Sequence, residues 1–120
     1  MCQMIQYKNG RNIAKIKYNH ILNISRQAEK CKNISRIILF GSTLEDRCTD
    51  HSDIDIAVFG HQTKGKYLHS KEFKEFHRQV FLFDMDQDYE ILYFTDGKKY
   101  TDQIMNDISE GIEIFRRESA

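Results

Sequence analysis

Apolar residues at Ile13, Ile16, Ile21, Ile24, Ala28 and Cys31 fall close to one helical stripe, with Lys15, Lys17, Asn23, Arg26, Gln27 and Lys30 on the remaining surface. That spacing predicts an amphipathic helix from Ile13 to about Lys32-Asn33. The pattern then changes period. Arg36-Ile37-Ile38-Leu39-Phe40 is a short β-branched and aromatic run that stops at Gly41-Ser42, and Asp53 to Phe59 is a second run that stops at Gly60. Both read as strands. Phe73, Phe76, Val80 and Phe83 return to helical spacing behind Ser70, which is placed to cap the helix. Tyr89 to Phe94 predicts a third strand ending in the turn residues Thr95-Asp96-Gly97. Tyr100, Ile104 and Ile108 mark a last helix closed by Gly111, and Ile112 to Phe115 would add a short terminal strand. The order α-β-β-α-β-α-(β) implies an α/β (α+β) fold, a small mixed sheet backed by helices.

The 120 residues suit one domain, 1–120, with 40% hydrophobic residues and enough aromatic bulk, eight Phe and six Tyr, to build a core. Eighteen basic residues balance eighteen acidic ones, which argues against a dedicated nucleic-acid-coating surface. The balance is uneven along the chain. Residues 1–40 carry eight Lys or Arg against Glu29, whereas residues 41–60 carry Arg47 against Glu45, Asp46, Asp50, Asp53 and Asp55. The basic helix reads as a solvated face. His20, His61, His69 and His77 lack metal-ligand spacing and read as surface residues, as does His51 in its loop. Phe73, Phe76, Phe81 and Phe83 read as core, with any excess over one helix face left as a partner surface. Cys2, Cys31 and Cys48 are odd in number and unpaired in spacing, which fits reduced thiols in a cytoplasm. No apolar run reaches membrane-span length and no secretory h-region opens the chain, so a soluble, cytoplasmic protein is expected.

Chemistry concentrates in Phe40-Gly41-Ser42, ten intervening residues, and Asp53-Ile54-Asp55. Side chains alternate along a strand, so Asp53 and Asp55 share a face while Ile54 and Ile56 take the other. Two neighbouring carboxylates repel unless a cation joins them, and Mg²⁺, held by one or two carboxylates together with substrate phosphates, suits that need. Gly41 leaves room for a phosphate beside the backbone, and Ser42 offers a hydroxyl and the start of a short helix through Leu44 to Arg47. Taken singly, a Gly-Ser turn and an Asp-x-Asp strand start are common structural features. Their joint occurrence between two apolar strands describes a seat for a metal and a triphosphate.

The string LFGSTLEDRCTDHSDIDIAVFG resembles the GS-x10-DxD signature of the minimal nucleotidyltransferases, within the DNA polymerase β-like nucleotidyltransferase superfamily. Gly41, Ser42, Asp53 and Asp55 match it without insertion, and a looser likeness runs from about Ser35 to Phe115. The resemblance implies the nucleotidyltransferase fold and a third carboxylate on a following strand. Glu90 in Tyr89-Glu90-Ile91-Leu92-Tyr93-Phe94 stands where relatives carry Asp, with Asp88 in reserve two residues earlier. The resemblance further implies two Mg²⁺ ions held by Asp53, Asp55 and Glu90, ATP as donor bound at Gly41 and Ser42, and Glu90 as base. Relatives often follow Gly-Ser with basic residues; Thr43, Leu44, Glu45 and Asp46 stand there, so Arg47 or a distant lysine would have to face the triphosphate.

Members of this length often act with a separate helical partner of the HEPN type, as the antitoxin half of toxin–antitoxin pairs that transfers AMP from ATP onto a tyrosine of the toxin. Two rivals stand beside that expectation. One is a non-catalytic binding subunit of the same fold that holds a helical partner, favoured by Glu90 and the acidic run after Gly-Ser. The other is a small-molecule nucleotidyltransferase whose acceptor site forms across a homo-oligomer.

Overall fold

The computed structural model describes residues 1–118. Three apolar runs form the strands their composition predicts: β3 (Ile34–Phe40), β4 (Ile54–Gly60) and β5 (Tyr89–Thr95). With β6 (Ile112–Arg116) they make a four-stranded sheet in the order β5-β4-β3-β6. β3 runs antiparallel to β4 and β6, while β4 and β5 are parallel, so the sheet is mixed. The α+β class expected from the pattern is the one observed.

Each face of the sheet has its own core. Ile54, Ile56 and Val58 of β4 join Ile37 and Leu39 of β3 against helix α1 (Tyr18–Glu29), helix α2 (Lys64–His69) and helix α3 (Lys71–Phe83), through Ile21, Ile24, Tyr67, Phe76 and Val80. The alternate residues Ala57 and Phe59, with Phe40 and Phe94, pack on Ile104 and Ile108 of helix α4 (Ile104–Ser109). Ser70 caps α3 as its position predicts, its hydroxyl accepting the Phe73 N–H at 3.1 Å. Among the described residues no helix is long and apolar enough to cross a membrane.

The start of the chain departs from the helical reading. Ile13 and Ala14 belong to strand β2 (Asn12–Ala14), which pairs antiparallel with strand β1 (Met4–Gln6), and helix α1 begins only at Tyr18, after a 3-10 turn over Lys15–Lys17. Asn9 and Gly10 at the hairpin turn both have positive φ, the arrangement for which Asn-Gly is favoured. The break in period puts Ile16 on the surface, 41% exposed, and turns Lys17 inward to 2%.

Other elements shift less. α1 ends at Glu29 rather than near Lys32, α2 was not foreseen, and α4 starts at Ile104 because Tyr100 folds back to accept the Thr95 N–H on its hydroxyl. Phe81 and Phe83, expected in the core, are 39% and 45% exposed, meeting the body of the protein along a ring edge, at Tyr89 and His20 respectively. His77, expected at the surface, is half-buried against Phe73 and Phe81, and burial pushes its imidazole down to about 4.

Candidate active site at the open end of the sheet

α4 covers one face of the sheet at Ala57, Phe59 and Phe94 and leaves the start of β4 and β5 on that face bare. Parallel pairing sets Asp55 directly beside Glu90, and in a parallel ladder partners point to the same side. On the other flank of β4, Asp55 pairs with Phe40, the last residue before the Gly-Ser turn. Gly41, Ser42, Asp53, Asp55 and Glu90 thereby line one cleft of about 470 Å³, together with Arg47, His51 and Ser52. Asp88 is not among the lining residues; the parallel register gives that place to Glu90.

The Gly-Ser turn is shorter than expected. It is a 3-10 turn over Gly41–Leu44 and closes with the Glu45 N–H donating to Ser42 O, so Arg47 lies in the following loop rather than on a helix. The need for glycine is also local. Gly41 has φ +82°, and a Cβ there would overlap Asp55 Oδ2, so the residue makes room for a carboxylate of its own chain. Arg47 reaches the cleft with its guanidinium paired to Glu45 at 2.8 Å. Beyond it the loop is organised by its own hydroxyls: Thr49 N–H donates to Ser52 Oγ at 2.9 Å, and His51 N–H to Thr49 Oγ1 at 3.2 Å. His51 is exposed, as expected of a loop histidine, and also lines the cleft.

Electrostatically the site is strained toward neutral. Asp55 is half-buried, and its carboxyl is pushed up to about 6, first by burial, then by the negative charge of Glu90, by the hydrogen bond it can give Glu90 when protonated, and by Asp53. Asp53, Asp55 and Glu90 bring carboxylate oxygens to the same cleft, and Asp55 and Glu90 are within hydrogen-bonding reach of each other. That donor set fits a hard divalent cation. Among the described residues no three carboxylate, imidazole or thiol groups stand at a spacing that could hold a metal ion, so an ion would take most of its ligands from phosphate and water, as Mg²⁺ commonly does.

Two supporting residues escaped the reading of the sequence. Lys17 and Gln87, both buried, bond to the carbonyls of the loop that precedes Asp53. Lys17 was masked by its place on the polar side of the apparent helix. Gln87 carries no signal of its own.

No protein of curated function matches the sequence significantly. The model of the family described as polymerase beta, nucleotidyltransferase, matches residues 22–120, from within α1 through the Gly-Ser turn and all three acidic positions, and the chain belongs to that family.

Proposed function

We propose that the chain is a metal-dependent nucleotidyltransferase of the minimal type, moving AMP from ATP to a protein acceptor such as a HEPN-type toxin partner. The observation that carries this reading is the pairing of Asp55 with Glu90 beside the Gly41-Ser42 turn, in a cleft where burial, and after it the charges of Glu90 and Asp53, push the Asp55 carboxyl up to about 6. A fold has no structural use for carboxylates gathered where they repel one another.

In this reading the turn at Gly41 and Ser42 receives phosphate oxygens on its backbone N–H groups and the Ser42 hydroxyl. Arg47 faces the triphosphate, its guanidinium already oriented by Glu45. Asp53, Asp55 and Glu90 would hold Mg²⁺, expected as two ions from the resemblance, which when bound offsets charge on the triphosphate and lowers the pKa of the attacking hydroxyl. Glu90, at the exposed edge of the cleft, takes the proton of that hydroxyl. The hydroxyl oxygen bonds to the α-phosphorus as the bridge to the β-phosphate breaks, and pyrophosphate leaves. Positioning and charge neutralisation carry most of such a step.

Support for a protein acceptor comes from an apolar strip at the end of α3, where Leu82 is 49% and Met85 81% exposed beside Phe81 and Arg78. The same strip favours the second reading, a binding subunit that holds a helical partner without catalysis. Incubation with labelled ATP, Mg²⁺ and a purified candidate partner separates them. Incorporation by the wild type, lost in Asp53→Asn with complex formation intact, supports transfer; equal binding with no incorporation by either supports the binding subunit.

A further inference from the structure

Lys17 is 2% exposed, and all three of its ammonium protons are used. Nζ donates to Ser52 O at 3.0 Å, to Asp50 O at 3.3 Å and to Gln87 Oε1. Gln87 donates its amide N–H groups to Ser52 O, the carbonyl Lys17 also holds, at 3.0 Å and to Asp88 O at 2.7 Å. Asp88 O also accepts the Ile54 N–H at 3.0 Å, at the start of the β4–β5 pairing. One buried cation therefore joins the loop that delivers Asp53 to the segment that delivers Glu90.

A cation surrounded by neutral oxygens is an expensive way to fill a core position, and an apolar side chain of similar length would avoid the desolvation. The carbonyls of Asp50 and Ser52 nevertheless need donors once withdrawn from water, and an ammonium supplies three from a single point. Ser52 is adjacent to Asp53, and Asp88 lies two residues before Glu90, so any displacement at Lys17 reaches both carboxylates through one or two peptide units. Errors of about 1 Å at such a site are costly to a positioned reaction.

We infer that Lys17, acting through Gln87, is a positioning residue that sets the separation between Asp53 and the Asp55–Glu90 pair at which a divalent cation and a triphosphate are received. The inference rests on the proposed nucleotidyl transfer. It assigns Lys17 no contact with the nucleotide; the residue acts on the frame that carries the carboxylates.

Gln87→Glu isolates this role. Glutamate keeps an acceptor for the Lys17 ammonium and adds an opposite charge beside it, but replaces the donor to Ser52 and Asp88 with an acceptor facing two carbonyls. The expected result is a protein that still melts cooperatively, within a few degrees of wild type, yet binds Mg²⁺·ATP at least about tenfold more weakly in a calorimetric titration. Lys17→Met is expected to weaken binding further, and Gln87→Glu decides the matter if Lys17→Met does not fold. A merely structural role would lower the melting temperature and leave the dissociation constant of the folded protein unchanged. Equal dissociation constants for wild type and Gln87→Glu overturn the inference while leaving nucleotidyl transfer standing. A wild type that binds no Mg²⁺·ATP overturns both.

Discussion

Asp55 packs into the space that Gly41 leaves open: a Cβ on Gly41 would overlap Asp55 Oδ2. The turn and the central carboxylate are thus a single packed unit, although thirteen residues separate them in the chain. Gly41→Ala should suffer twice, from a φ of +82° that L side chains rarely adopt and from the displaced carboxylate. A loss of about 1–3 kcal/mol in urea unfolding is expected, together with loss of the thermal shift produced by Mg²⁺·ATP. An alanine variant with wild-type stability and nucleotide response would contradict the packing described.

The pH dependence of metal-free stability follows from Asp55. Its carboxyl, pushed up to about 6 from 3.8, is favoured in its neutral form by the fold. The stability it contributes is fully present below its unfolded pKa and is lost as pH rises through about 6. Asp84, whose carboxyl is held low by the hydrogen bond from His20, acts in the opposite sense, so the readout is a difference. The melting temperature of Asp55→Asn minus that of wild type should increase between about pH 4 and pH 7 in EDTA. A flat difference would show that the Asp55 carboxylate is not destabilised by its burial and its acidic neighbours.

Divalent-cation binding should show the reverse trend. Protonated Asp55 cannot serve as a ligand, so Mg²⁺·ATP affinity is expected to fall as pH drops through about 6. Calorimetric titrations across pH 5 to 8 check this, and an affinity that does not change with pH would place the cation away from Asp55.

Nucleotide should stabilise the protein only in company with the metal. At a ligand concentration about one hundred times its dissociation constant, mass action adds about 2.7 kcal/mol to the folded state. ATP with Mg²⁺ should raise the melting temperature by several degrees and ATP in EDTA by far less. Equal shifts would argue that the nucleotide sits elsewhere than the carboxylate cleft.

Asp53 and Glu90 should separate catalysis from folding, because both are exposed at the cleft while Asp55 is half-buried. Asp53→Asn and Glu90→Gln are each expected to cut nucleotide incorporation by about 10²-fold or more, with melting temperatures close to wild type. Incorporation unaffected by Glu90→Gln would remove Glu90 from the role of base.

Much of the architecture was legible because its signals are local. β3, β4 and β5 announce themselves as apolar runs bounded by Gly or turn residues, and Ser70 marks the start of α3 by its own hydrogen bond. The spacing of Gly41, Ser42, Asp53 and Asp55 survives in the sequence because one strand, one turn and one return strand of fixed length carry all four. The hairpin of β1 and β2 was missed: Asn9-Gly10 is its turn signal, but Ile13 and Ile16 fit a helical stripe closely enough to hide it.

The sequence by itself determined the four strands of the main sheet, helices α1, α3 and α4 in outline, and two aspartates at the start of β4, because period and turn chemistry act over a few residues. Tertiary structure alone decided that β4 and β5 run parallel in the register that sets Glu90, rather than Asp88, beside Asp55. It also decided that Gly41 yields its space to a carboxylate and that Lys17 points inward to hold the loop before Asp53. Those outcomes depend on contacts between segments far apart in the chain. Hydrophobic periodicity records which face of an element is buried, but not what will meet it there.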